Sequence, residues 1–143
     1  MKCLTLTAGI FVLAACSFEP DEKATKDGVA RVAQSTVSLF EGEIAPMLAT
    51  SCAICHLTGA EAGNMSLVPG KAIATLVGVK AVGAPTLTRV VPGKPDESYV
   101  IMKLEGTHIE KGGVGARMPF GAPPLSPEKI AKLRQWISQG AKP

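Results

Sequence analysis

The chain is poor in aromatic residues, in histidines and in net charge. Phe, Tyr and Trp make up 4% of its 143 residues, so a single domain of common size would have few rings to fill its core. The two histidines are His56 and His108, so a four-ligand zinc site could take no more than two of its ligands from histidine. The formal net charge of +3 excludes a strongly basic nucleic-acid-binding domain.

The sequence also lacks an apolar run of membrane-spanning length near its start. The run from about Leu4 to Ala15 is shorter than the about 20 apolar residues that cross a bilayer. Because it follows Lys2, it resembles a short signal peptide over residues 1–15. It ends in Leu13-Ala14-Ala15-Cys16, which resembles the lipobox of bacterial lipoproteins. That resemblance implies a diacylglyceryl group on Cys16, whereas ordinary signal cleavage would leave Cys16 as a free thiol.

The most informative segment is Cys52-Ala53-Ile54-Cys55-His56. The spacing C-x-x-C-H is the signature of covalent attachment of a c-type haem. Two thiols two residues apart can add to the two vinyl groups of one haem, and the adjacent histidine can then reach the iron. The sequence therefore predicts haem thioethers at Cys52 and Cys55 and an axial iron ligand at His56.

Other interpretations of this motif fit less well. A redox dithiol does not need the following histidine and usually lies in a βαβ pattern, which is absent here. Half of a zinc site would need further ligands, and His108 is the only other histidine. Cys3 is removed if the signal peptide is cleaved, so no disulfide is predicted. The single C-x-x-C-H excludes a second haem bound in this way.

The second axial ligand separates electron transfer from the binding of an external ligand. A methionine opposite histidine gives six-coordinate iron with a raised reduction potential. Four methionines follow the signal segment: Met47, Met65, Met102 and Met118.

Met118 is the predicted ligand, because the glycine-rich segment 112–118 can bend around a haem and Pro119 restrains the chain just after it. Met102 lies mid-helix among apolar neighbours, where a methionine usually packs in the core. His108, which would give two histidine ligands, and an open site remain alternatives.

The pattern of apolar, glycine and proline residues predicts short helices joined by long loops. We expect a helix with Pro46 in its first turn that ends near Ile54, and a short strand pair within residues 79–91. Further helices are expected over 71–76, over 99–104 with an end at Gly106, and after Ser126, whose side chain caps a helix that begins at Pro127.

The ordered series of motifs is similar to the small monohaem cytochrome c domains of bacterial exported proteins, which include the planctomycete-type domain and resemble class I cytochromes c. The residues that carry the resemblance are Ile44-x-Pro46-x-Leu48, the C-x-x-C-H segment, Pro92-Gly93-x-Pro95-x-x-Ser98, Met118-Pro119, Pro124-Leu125-Ser126 and Trp136-Ile137-x-x-Gly140-Ala141.

The resemblance implies an all-α, class I cytochrome c-like fold, with short helices and long Gly/Pro-rich loops around one covalent haem c. It also implies that Trp136 packs near Gly42 or Leu48, that the Pro69 carbonyl holds the second ring nitrogen of His56, and that Arg117 can pair with a haem propionate. The expected organisation is a signal peptide over 1–15, the lipidated Cys16 with a flexible tether over 16–40, and the haem domain over 41–143.

The function expected from these features is electron transfer. We expect an exported, lipid-anchored carrier that faces the periplasm and passes single electrons between redox protein partners, with no small-molecule substrate, no nucleic acid and no catalytic residues. Ser17 after Cys16 favours the outer membrane where the host has two. The alternatives are an electron-transfer subunit of a larger oxidoreductase and a haem-based sensor with an open axial site. A weakly basic docking face is expected from four lysines: Lys71, Lys80, Lys94 and Lys103.

Overall fold

The computed structural model describes residues 37–143. The predictions for the signal peptide, for Cys16 and for the tether up to residue 36 lie outside these residues. Within residues 37–143, no helix is both long and apolar enough to cross a membrane.

Short helices alternate with loops and a small sheet. In chain order the elements are a π-helical turn Phe40–Ile44, α1 Ala45–Ser51, α2 Ala72–Leu76, β1 Lys80–Ala81, β2 Ala84–Thr88, a 3₁₀ turn Pro95–Glu97, α3 Tyr99–Glu105, a 3₁₀ turn His108–Lys111 and α4 Pro127–Ser138. β1 and β2 pair antiparallel, with Ala81 opposite Ala84. The strand pair expected within residues 79–91 is confirmed.

Helix α1 begins as expected and ends earlier than expected. Pro46 lies in its first turn, where the missing N–H costs no hydrogen bond. The helix ends at Ser51 rather than near Ile54, because Cys52 has φ −131° and leaves the helical region. The two cysteines of the motif therefore lie in the turn that follows α1.

The later helices follow their sequence signals closely. The Ser126 hydroxyl accepts a hydrogen bond from the Lys129 N–H at 3.4 Å, which caps α4 as predicted. Helix α3 ends at Gly106, which has φ +83° and so adopts the left-handed conformation that glycine tolerates best. Both predictions are confirmed.

The main core takes buried residues from the π-helical turn and from α1, α2, α3 and α4. Trp136 is buried there, and its ring centroid lies 5.4 Å from that of Phe40. Leu48 belongs to the same core cluster. The indole N–H donates to the Lys142 carbonyl at 2.7 Å, which satisfies the polar atom of this buried ring. Trp136 thus joins the two ends of the described chain.

The described residues are 41% helical and include the two-stranded sheet. This is less helix than the phrase all-α implies, because the glycine and proline residues leave many segments without regular structure. A class I cytochrome c-like arrangement stays a prediction from the motif series.

Candidate functional site

The C-x-x-C-H segment forms a compact turn at the end of α1. The N–H groups of Cys52 and Ala53 both donate to the Leu48 carbonyl, at 3.0 and 2.9 Å. The N–H groups of Cys55 and His56 then donate to the Cys52 carbonyl, each at 3.1 Å. This backbone pattern holds both sulfurs and the imidazole at one end of one helix.

The two thiols differ in their surroundings. Neither Cys52 nor Cys55 is in a disulfide, so both have the S–H group that thioether formation needs. Cys55 is exposed, whereas Cys52 is partly buried and packs against the main core. Burial, followed by the nearby Cys55, raises the pKa of Cys52 to about 11. Cys52 is therefore a protonated thiol at neutral pH rather than a reactive thiolate.

His56 is a buried and neutral imidazole. Its exposed fraction is 8%, and burial lowers its pKa, as does the charge of Arg89, against the raising effects of Glu61 and the Ala62 backbone. Neutral imidazole is the form that binds metals. Nδ1 is buried and has no hydrogen-bond partner among residues 37–143. The predicted bond to the Pro69 carbonyl is therefore not present in this structure.

The loop that follows His56 is held by local hydrogen bonds. The Leu67 N–H donates to the His56 carbonyl at 2.8 Å. The Glu61 carboxylate accepts from the Thr58 N–H at 3.0 Å, the Thr58 hydroxyl at 2.9 Å and the Gly59 N–H at 2.9 Å. The backbone N–H of Glu61 itself, and then these backbone and hydroxyl donors, hold the pKa of Glu61 at about 2. The loop thus returns along a defined path beside the imidazole.

The Arg89 side chain holds the loop that follows His56. Nothing in the sequence motifs predicted this role. Its side chain is buried, and its guanidinium donates to the carbonyls of Thr75 at 2.6 Å, Gly63 at 2.5 Å and Asn64 at 3.3 Å. A Cβ placed on Gly63 would lie 3.8 Å from the imidazole carbon Cε1 of His56. Arg89 is therefore connected to the His56 ring through a single intervening residue, Gly63. The available signal was a charged residue inside the otherwise uncharged run 84–91.

Met65 borders the same glycine as His56. The Cβ placed on Gly63 would also lie 3.3 Å from Met65 Cε. Met65 therefore lies close to the His56 ring, whereas a second ligand would have to approach the iron from the opposite face.

Met118 is partly buried and packs against the main core cluster, as Cys52 does. Its N–H donates to the Lys103 carbonyl in α3 at 2.9 Å. Arg117 donates to the Met118 carbonyl at 3.2 Å and to the Ala122 carbonyl at 3.4 Å. The predicted ligand and the attachment turn thus border one core, while the propionate role of Arg117 stays a prediction.

His108 has a different role from that of an available ligand. Its side chain is 1% exposed, and its Nε2 lies 2.8 Å from the Gly115 carbonyl and 3.1 Å from Lys103 Nζ. To bind iron through Nε2, the ring would have to give up the Gly115 contact. Lys103 is partly buried, and its Nζ donates to the Val114 and Ala116 carbonyls. Its part in a docking face stays a prediction.

Large apolar side chains are exposed next to both predicted ligand regions. Ile54, between the two cysteines, is 85% exposed, and Phe120, two residues after Met118, is 75% exposed. Among residues 37–143, no group of three or more His, Cys, Asp or Glu side chains could hold a metal ion. This part of the chain therefore does not assemble the zinc site considered as an alternative.

Comparisons of the chain with protein-family models, with curated proteins and with solved structures found no match. The similarity to cytochrome c domains therefore rests on the motif series of this chain alone. The described residues fit a covalent haem in three respects: two free thiols at the required spacing, an adjacent buried and neutral imidazole, and a partly buried methionine against the same core.

Proposed function

We propose that this protein is an exported, lipid-anchored monohaem c-type cytochrome that carries single electrons between redox protein partners. The observation that carries the proposal is the turn after α1, which holds the free thiols of Cys52 and Cys55 beside the buried neutral imidazole of His56. A class I-like arrangement around the haem, and an anchor on Cys16, belong to the same proposal.

Each residue of the site has a separate task. The thiols of Cys52 and Cys55 would each form a thioether bond by adding S–H across one vinyl double bond. His56 and Met118 would hold the iron. Haem c, once bound, supplies a one-electron couple whose potential a methionine ligand raises.

The rest of the chain prepares these groups. Burial keeps His56 neutral and able to bind, and the bonds of Arg89 and Glu61 fix the loop beside it. The core around Trp136 and Leu48 would exclude water from one side of the proposed haem site. The exposed apolar side chains of Ile54 and Phe120 provide surface that a haem or a partner can cover. No residue is assigned a bond-breaking role on a substrate, because the protein's part is to bind, orient and shield.

The full chain should be produced in a host that matures c-type cytochromes and analysed by mass spectrometry under denaturing conditions. We expect the mass of one haem to remain bound, and a redox titration that follows a one-electron curve. The matched control is Cys52→Ser with Cys55→Ser, which should retain no haem after denaturation. A wild-type chain without covalent haem would refute the proposal.

A further inference from the structure

Three successive carbonyl groups just before Met118 are held by two side chains. Lys103 Nζ donates to the Val114 carbonyl at 2.9 Å and to the Ala116 carbonyl at 2.5 Å. His108 Nε2 lies 2.8 Å from the carbonyl between them, that of Gly115. Each carbonyl from Val114 to Ala116 is therefore in contact with one of these two side chains.

The proton positions follow from the chemistry of the partners. A carbonyl can only accept, so the bond to Gly115 requires a proton on His108 Nε2. The 3.1 Å approach of Lys103 Nζ to that nitrogen is then a packing contact, and the ammonium protons are left for the carbonyls. Lys103 and His108 therefore act together without competing for one acceptor.

Main-chain hydrogen bonds join the same residues in the reverse direction. The Met118 N–H donates to the Lys103 carbonyl at 2.9 Å, and the Gly113 N–H donates to the His108 carbonyl at 2.8 Å. Lys103 lies in α3 and His108 in the 3₁₀ turn after it, so both ends of the segment are tied to regular structure. Segment 113–118 contains two glycines, Gly113 and Gly115, and directly follows Gly112, and a glycine-rich chain has little stiffness of its own.

We propose that Lys103 and His108 are positioning residues that hold segment 113–118 and thereby keep the Met118 thioether in place to bind the iron. This inference rests on the proposed function, since it presupposes the His56 and Met118 ligands. Neither side chain touches the iron in this account. Both act by limiting the freedom of the loop that carries the ligand.

The test is the affinity of the oxidised, full-length protein for added imidazole, which must displace Met118 to bind. We expect Lys103→Met to raise this affinity about tenfold, because hydrogen bonds made by a charged group to the loop are lost. Lys103→Arg keeps donors at this position and should restore most of the wild-type affinity. Lys71→Met is the matched control, because Lys71 is exposed and lies outside the loop, and it should leave the affinity unchanged.

A double-mutant cycle separates positioning from general destabilisation. Against a Met118→Ala background, Lys103→Met should have no further effect on imidazole affinity, because the ligand on which it acts is absent. An unchanged tenfold effect in that background would overturn the inference. His108→Phe, which lacks an N–H donor, should raise the imidazole affinity more than His108→Gln, which keeps one. This pair gives a second test if one lysine variant folds poorly.

The outcomes also distinguish this inference from the proposed function. If Met118→Ala alters the iron spectrum while Lys103→Met and His108→Phe leave imidazole affinity unchanged, the ligand assignment stands and the positioning role is refuted. If Met118→Ala leaves the spectrum unchanged, the ligand assignment itself is wrong and the positioning role falls with it.

Discussion

The attachment turn and the Met118 segment are held in opposite ways. Residues 52–56 fold onto the end of α1 through their own backbone, with the Leu48 and Cys52 carbonyls each accepting two N–H groups. Segment 113–118 makes its contacts with side chains and backbone of other elements, chiefly through Lys103 and His108. The first region is built by local geometry and the second by tertiary contacts.

This difference has a functional meaning under the proposed function. His56 adjoins two residues that would be bonded covalently to the haem, so it cannot move far from the iron. Met118 lies on a glycine-rich loop, so it stays bound to the iron only as long as the loop is held. We therefore expect His56 to be the permanent ligand and Met118 the exchangeable one. The following predictions test this asymmetry, from the largest expected effect to the smallest.

The largest effect is expected at the two thiols. Cys52→Ser combined with Cys55→Ser should abolish covalent haem, as judged by haem-dependent peroxidase staining after denaturing electrophoresis. Cys16→Ser is the informative companion, because it should keep the haem and release the protein from the membrane fraction. Loss of haem in Cys16→Ser, or its retention in the double variant, would contradict the assignments.

The next effect is expected at Arg89. Arg89→Met should lower the free energy of unfolding by about 3 kcal/mol, because three carbonyl groups lose a charged donor in a buried position. Arg89→Lys keeps the charge without the planar fork and should recover only part of this loss. Chemical denaturation of both variants measures the difference, and an Arg89→Met protein as stable as the wild type would show that Arg89 does not support the His56 loop.

A glycine substitution tests how segment 113–118 is held. A Cβ on Gly113 would lie 2.8 Å from the His108 carbonyl oxygen and from the Tyr99 ring, so Gly113→Ala must displace backbone and should cost about 2 kcal/mol. Gly70 has φ +81° and open space around it, so Gly70→Ala should cost only about 1 kcal/mol of conformational strain.

The two glycine variants should also differ in the exchange of Met118. Gly113→Ala should raise the imidazole affinity of the oxidised protein, and Gly70→Ala should not. Equal effects of the two variants on stability and on ligand exchange would show that segment 113–118 holds Met118 no more than an unrelated loop does.

The smallest effect concerns the acid end of the pH range. The folded pKa of Glu61 is about 2, below its ordinary value of 4.5. Its hydrogen bonds are therefore fully formed above the ordinary value and are lost as the pH falls toward 2. The amide NMR shifts of Thr58 and Gly59 should titrate with a midpoint near the lower value, and Glu61→Gln should remove the titration. A midpoint near the ordinary value would show that the carboxylate does not hold this loop.

The sequence was most informative where the signals are local. The Ser126 cap, the Gly106 helix end and Pro46 in the first turn each depend on neighbours along the chain. The end of α1 was placed too late because nothing in the sequence marks the change of φ at Cys52.

Long-range contacts were the part that the sequence could not supply. Arg89 donates hydrogen bonds to carbonyls 14 to 26 residues earlier in the chain. Lys103 donates hydrogen bonds to carbonyls 11 to 13 residues later. An Arg or Lys bound to carbonyls, such as the buried Arg89 or the partly buried Lys103, has no acidic partner whose spacing could reveal it. Lys103 was consequently interpreted as part of a docking face, and His108 as a rival ligand, although the structure ties both to one loop.

The most direct test of the central claim is the optical spectrum of the matured full-length protein, oxidised and then reduced, beside that of Met118→Ala. The proposal predicts a low-spin c-type spectrum with the weak sulfur-to-iron band in the oxidised wild type, and loss of that band in the variant. A high-spin oxidised wild type would mean an open axial position and would favour a sensor or an enzyme subunit over an electron carrier. A wild-type spectrum without haem would contradict the proposed function altogether.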